Sequence, residues 1–168
     1  PDVALTPGVE MSTGSLGQGL SVACGMALAG KLDGRDYRVY CMLGDGESDE
    51  GSVWEAAMAG SHYRLDNLTG ILDRNEMQVD GATERVMSLE PLSDKWKAFG
   101  WEVLEIDGHD MHQILDSLDL ASGIKDKPTM IIAKTIKGRG VSFMEGNIEY
   151  HGRALTKEEL ARALEELK

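Results

Sequence analysis

Four short apolar runs, RVYCML (38–43), LTGIL (68–72), WEVLEI (101–106) and TMIIA (129–133), recur along the chain with helix-patterned stretches between them. Short apolar runs of this kind read as buried strands, and strands that alternate with helices join as βαβ units. Parallel neighbours can be linked only through a crossover, so the alternation predicts a mainly parallel α/β sheet with helices on both faces. The first, second and fourth runs are continuous enough for burial on both faces, whereas WEVLEI alternates. LGQGLSVACGMALAGKL (16–32) is apolar or small on nearly every side. Its glycines disfavour a helix, which makes sense only where small residues let buried backbones approach closely. SVWEAAMAGSHY (52–63) gathers Val53, Ala56, Ala57 and Gly60 on one face. Ser93 and Asp110 read as helix caps, and TKEELARALEEL carries a Thr156…Glu159 capping box with an apolar stripe of Leu160, Ala161 and Leu164. Without repeats, low-complexity segments or linkers, residues 1–168 read as one domain. It begins at Pro1 with no initiator methionine, which points to an N-terminal truncation.

Charge narrows the partners. A formal charge of −12 and a pI near 4.7 disfavour nucleic acid and anionic membrane surfaces, because phosphates are repelled. Local phosphate binding survives, since a metal ion and backbone N–H groups act at short range. Residues 11–30 carry no formal charge, yet five glycines, three serines, Thr13 and Gln18 make them too polar and flexible for a lipid-facing span. Cys24 and Cys41 lack metal-type spacing and read as buried, reduced thiols of a cytoplasmic protein.

The first apolar run stops at Gly44-Asp45-Gly46, and the second at Asp73-Arg74-Asn75. Ligands of parallel sheets bind past the carboxyl ends of the strands. If the two strands are neighbours, their ends lie about 4.8 Å apart, and Asp45 and Asn75 face a common spot. A carboxylate and an amide oxygen are hard donors, too few for a calcium cage but sufficient for Mg²⁺, which keeps waters and ligand phosphates. Gly46 permits close backbone approach, and the helix starting near Ser52 aims N–H groups the same way. Taken singly, each motif is also an ordinary turn. A dinucleotide fold is disfavoured, since no G-x-G-x-x-G follows a strand. His109 and His112 read as solvated or capping. Lys137, Arg139 and Arg153 form a basic cluster that suits either a phosphate or a solvated loop.

Gly44-Asp45-Gly46 followed some thirty residues later by Asn75 resembles the thiamine diphosphate motif. EGSVWEAAMAGSHYRLDNL, PGVEMSTGSLGQGLSVACGMALA, DKPTMIIAKT and KTIKGRGVSFMEGNIEYHG resemble transketolase specifically, over nearly the whole chain. The resemblance implies that Asp45, Asn75 and the main-chain oxygen of Met77 bind Mg²⁺ or Ca²⁺, with Gly46 and Asn75 also touching the diphosphate. It implies that Gly14, Ser15 and Leu16 line the cofactor site and that Val79 packs near the thiazolium. Lys137 sits where some members place a lysine near the cofactor. His151 matches a histidine that contacts the diphosphate and aids proton transfer, although by its residues alone it is a surface histidine in a polar loop. Glu50 matches a glutamate buried at the subunit interface, and the small-residue stretch 11–30 is expected to lie near the same contact.

By the same resemblance, Pro1 is the proline of a Gly-His-Pro segment, so upstream histidines are missing, as is the domain that binds the aminopyrimidine ring. The implied protein is the N-terminal subunit of a split transketolase. Its partner would be a C-terminal subunit, its substrates sugar phosphates, and its state a homo- or hetero-oligomer. Two other expectations stay open: an α-type subunit of a 2-oxoacid dehydrogenase or deoxyxylulose-phosphate synthase, and a non-catalytic cofactor-binding partner.

Overall fold

The computed structural model describes residues 2–168; Pro1, with the Gly-His-Pro assignment placed on it, lies outside them. The elements run α1 (Gln18–Leu32), β1 (Val39–Gly44), a 3-10 turn (Gly46–Asp49), α2 (Gly51–His62), β2 (Leu68–Arg74), β3 (Met77–Gln78), β4 (Gly81–Ala82) and α3 (Thr83–Val86). There follow α4 (Leu92–Ala98), β5 (Glu102–Asp107), α5 (Met111–Gly123), β6 (Thr129–Lys134), a second 3-10 turn (Ile148–Tyr150) and α6 (Lys157–Glu166). The four apolar runs form one parallel sheet in the order β1-β2-β6-β5, flanked by helices, and β3 and β4 make a small antiparallel hairpin.

The central strands behave as their unbroken apolar sequence requires. Thr129 to Ala133 are all buried, as are Leu68, Thr69, Gly70 and Leu72. β1 departs from expectation. Val39, Cys41 and Leu43 are buried, but Tyr40 and Met42 are 51% and 65% exposed. β1 is an edge strand, and its second face stays open. An apolar run alone does not distinguish an edge strand from a central one.

The small residues of α1 serve close packing. Leu20, Ala23, Cys24, Ala27 and Gly30 are buried, and α1 packs on β1 and α2. A Cβ on Gly30 would lie 2.7 Å from the Tyr37 ring, and one on Gly60 of α2 would lie 3.0 Å from Trp101. Part of the small-residue stretch expected near a partner therefore lies in the chain's own core, while Met11, Leu16, Gly25 and Ala29 stay exposed. Cys24 and Cys41 are free and buried. Burial pushes the Cys24 thiol up to about 11. Burial, helped by the charge of Glu47, takes Cys41 up to about 12, so both stay protonated at neutral pH. Trp54, Trp96 and Trp101 cluster with ring centroids 5.0 and 5.1 Å apart. Trp96 is fully buried, and a large side chain buried in this way contributes roughly 1.5–3 kcal/mol.

Two of the three expected caps are present. Asp110 accepts from His112 N at 2.9 Å, and the Thr156–Glu159 box closes reciprocally. Ser93 is not a cap: α4 starts one residue earlier, at Leu92. Pro91 holds the position before it, and the Glu90 carboxylate accepts from Leu92 N at 2.9 Å. On α6 the residue turned inward is Ala163, while Leu160, Ala161 and Leu164 are exposed. Polar and cation–π anchors set that rotation. Glu166 accepts from the Ser142 hydroxyl at 2.9 Å, and Arg162 lies 4.6 Å over the Phe143 ring.

Candidate functional site

Parallel pairing of β1 with β2 sets Gly44 opposite Asp73, which carries Asp45 alongside Arg74 and Asn75, the neighbourhood expected from the crossover. Asp45 is only 2% exposed. One of its oxygens accepts from Glu76 N and the other from Arg74 Nη1 at 3.3 Å. Asn75 Oδ1 accepts from Met77 N at 3.1 Å, an Asx turn that directs the chain into the β3–β4 hairpin. Val79 sits at the tip of that hairpin, 69% exposed.

Gly46 has a nearer reason to be glycine than a phosphate. A Cβ there would stand 2.9 Å from Gln78 Cβ, so the hairpin closes directly over the 46–49 turn. Gln78 Oε1, packed against the same spot, is buried without a hydrogen-bond donor among the described residues.

Arg74 was passed over by sequence reasoning, which treated Asp-Arg-Asn as a loop. It is 5% exposed. Its guanidinium donates to Asp45, to Thr83 Oγ1 at 2.9 Å, to Glu84 at 3.2 Å and to Glu90 at 3.0 Å. Burial alone would favour its neutral form, but the Glu90 hydrogen bond and the charges of Asp45 and Glu90 outweigh burial and raise its pKa. Burial likewise pushes the Asp45 carboxyl up, and Arg74 and the Glu76 N–H pull against that without cancelling it. Asp45 is thus a buried carboxyl held by one guanidinium and one backbone N–H.

Gly14, Ser15 and Leu16 are exposed and reach the same sheet edge, with Ser15 Oγ 4.0 Å from the Cβ position of Gly44. Gly17, next in the chain, has a φ of +84°, a region glycine enters without strain. Its N–H donates 3.0 Å to the buried Glu47 carboxylate, which also accepts from Gly44 N at 3.2 Å. Sequence reading missed Glu47 too; the only signal was a carboxylate two residues beyond Asp45. Glu50 is exposed in this chain and precedes α2 without a side-chain capping bond.

The remaining candidates lie in the segment after β6. Thr135 ties that segment to β2, its hydroxyl bonding Asp73 and its N–H donating to Arg74 O at 3.1 Å. His109 contributes as well: it is exposed, as expected, but its Nε2 also accepts from Ile136 N at 2.7 Å. Lys137 follows, half-buried. His151 is exposed at the end of the second 3-10 turn. Among the described residues, neither the Lys137 ammonium nor the His151 imidazole hydrogen-bonds to the Asp45–Asn75 cluster. Arg153 is engaged by Glu159 at 2.7 Å and stacks 4.5 Å over Tyr150, which takes it out of the basic cluster.

The donor set fits a hard divalent cation. Asp45 offers a buried carboxylate, Asn75 an amide oxygen with a second lone pair, and Gln78 an acceptor without a donor. A separate cavity of about 890 Å³ runs along the outer edge of β1 and is lined in part by Gly14, Ser15, Met42 and Glu47.

Residues 1–167 match the family described as transketolase, thiamine diphosphate binding domain. The chain is 50% identical over 161 residues to an apulose-4-phosphate transketolase subunit of Phocaeicola vulgatus, covering 96% of this chain and 57% of that protein. It is 49% identical to the 6-deoxy-6-sulfo-D-fructose transketolase subunit SqwG of a Clostridium species, over 99% of this chain and 60% of that one. It therefore spans less than two thirds of these relatives. The crystal structure of transketolase from Campylobacter jejuni superposes with a TM-score of 0.91 at 36% identity, over 99% of this chain and 27% of that one. The chain belongs to the transketolase family, as its thiamine diphosphate binding domain.

Proposed function

We propose that this chain is the diphosphate-binding part of a two-subunit transketolase, residues 1–168 acting as one unit. The complex would move a two-carbon ketol unit from a ketose to an aldose. The carrying observation is the buried Asp45 carboxylate at the end of β1, folded over by the 75–77 turn. In this reading Asp45, Asn75 and the Met77 carbonyl hold Mg²⁺, and Gly46 and Asn75 meet the diphosphate. Gly14, Ser15 and Leu16 line the cofactor site and Val79 packs near the thiazolium; exposure of Leu16 and Val79 in the chain alone supports that role, since apolar groups there gain from being covered. Thiamine diphosphate, when bound, supplies the electron sink for breaking the C2–C3 bond of the ketose.

The protein's own share is binding, orientation and proton transfer. Asp45 and Asn75 balance charge through the metal, and the tied 135–137 segment brings Lys137 toward the anionic end of the cofactor. His151 is the proposed proton carrier at the sugar. The pyrimidine-binding half would come from the partner subunit. The two relatives named above act on different sugars, one phosphorylated and one sulfonated, so the substrate is proposed only as an anion-tailed ketose. Buried free thiols suit a cytoplasmic setting, and no helix among the described residues is long and apolar enough to cross a membrane.

Calorimetry on the assembled enzyme tests the site. Asp45→Ala and Asn75→Ala should each abolish Mg²⁺-dependent binding of thiamine diphosphate, and unchanged affinity in both would reduce the motifs to turns. The chain without its partner should show no ketol transfer; turnover by the chain alone would refute the two-subunit reading.

A further inference from the structure

We infer that Glu47 is a positioning residue for the cofactor loop, clamping Gly14–Leu16 onto the end of β1 from behind. The inference rests on the functional reading above. Glu47 lies two residues past Asp45 but serves the opposite side, toward α1. It is 6% exposed and faces no cation within salt-bridge distance among the described residues. Its two oxygens instead divide between two backbone donors, Gly17 N at 3.0 Å and Gly44 N at 3.2 Å. One donor belongs to the N-terminus of α1 and the other to the last residue of β1. A single carboxylate therefore joins the loop that borders the cofactor to the strand that carries the metal ligand.

Gly17 is held on its other sides as well. Its carbonyl accepts from Ser52 Oγ at 3.1 Å. Its Cα presses on α2's first residues, since a Cβ there would come within 2.5 Å of Ser52 Oγ and 2.7 Å of Glu50 Cβ. Bonds on both polar atoms of Gly17, together with its left-handed backbone, fix where Gly14, Ser15 and Leu16 emerge. Burying a carboxylate on two N–H donors and no cation is costly unless both bonds are kept. Loss of one acceptor should therefore be felt by the loop before the rest of the fold.

Glu47→Gln preserves the shape but turns an amide N–H₂ toward one of the two donors. In the assembled enzyme, hydrogen exchange of residues 14–18 should quicken while that of 75–78 stays as in the parent. Calorimetry at saturating Mg²⁺ should give thiamine diphosphate about tenfold weaker, the size of one lost charge-assisted hydrogen bond. The Mg²⁺ dependence at saturating cofactor should move less than about twofold. Ser52→Ala, which frees only the Gly17 carbonyl, should act in the same direction with smaller size and serves if Glu47→Gln does not fold. Unchanged exchange at 14–18 overturns the clamp. Faster exchange with unaltered cofactor affinity overturns the positioning role. Equal loss of metal and cofactor affinity would make Glu47 a general support of the sheet end, and the inference fails. If the parent assembly binds no thiamine diphosphate, the functional reading itself falls, an outcome the exchange measurement keeps separate.

Discussion

Arg74→Met removes the one cation beside Asp45 while keeping most of the side chain's length. At 3.3 Å, two unit charges interact by about 5 kcal/mol gross at an effective dielectric of about 20. The net loss is smaller, because Arg74 also recovers hydration on unfolding. Glu84 and Glu90 are about half exposed, so water replaces the guanidinium there at little cost. Asp45 has no such refuge, and stranding a buried charge costs about 3–5 kcal/mol. Taking the lower end, a chain of this size should lose roughly 6–12 °C in Tm. A divalent cation on Asp45 would restore the missing positive charge. The deficit should therefore shrink as Mg²⁺ is added, by the mass-action gain of a ligand that binds only the folded state. Arg74→Lys should recover part of the loss, since it keeps the charge without the fork that reaches four acceptors. Thermal and urea unfolding of parent, Arg74→Met and Arg74→Lys, with and without millimolar Mg²⁺, measure the Tm loss and the free-energy deficit. Two results would refute the reasoning: a methionine variant as stable as the parent, or a deficit that is the same at every Mg²⁺ concentration.

Acid should release α6 before the core. The Arg153 hydrogen bond, the Thr156 N–H and Tyr150 hold the Glu159 carboxyl down at about 2 from an ordinary 4.5. A depressed folded-state pKa gives stability that is present above the unfolded value and lost as pH falls through the folded one. Exchange protection at 156–166 should therefore decline between about pH 4.5 and about 2, and Glu159→Gln should remove that step; a pH-independent helix would contradict it. In the assembled enzyme, Glu50→Gln should associate like the parent and Glu50→Lys should not, as sedimentation would read. If both variants assemble normally, Glu50 is a solvated carboxylate there too.

Strand existence was legible because β2 and β6 are unbroken apolar runs, and the Asp45–Asn75 neighbourhood followed once the first two strands were taken as neighbours, which their pairing bears out. Edge and centre were not legible. RVYCML looks as continuous as TMIIA, and only pairing reveals that Tyr40 and Met42 lack a covering layer. Cap identity failed at Ser93 because α4 already begins at Leu92, whose N–H bonds the Glu90 carboxylate. Arg74 and Glu47 escaped notice for a shared reason. Charged residues in a polar loop read as solvated, and their burial depends in part on partners 16, 29 and 30 residues away. The exposure of His151 was legible from its polar loop, that of Glu50 follows from no pattern in the chain, and the proposed roles of both depend on surfaces a second subunit would supply.

The indole cluster gives this protein a built-in optical signal. Trp54 donates from Nε1 to Ser48 O at 3.0 Å, and Ser48 belongs to the turn that follows Asp45. Trp54 also stacks on Trp96, which meets Trp101, so all three chromophores are close enough to share excitation. Their emission and near-ultraviolet circular dichroism will consequently behave as one coupled band. A shift of the 46–49 turn on loading the site would be transmitted through a single hydrogen bond to every tryptophan in the chain. Titrations can therefore be followed without an added label, whereas no single-tryptophan variant would retain the parent's spectrum.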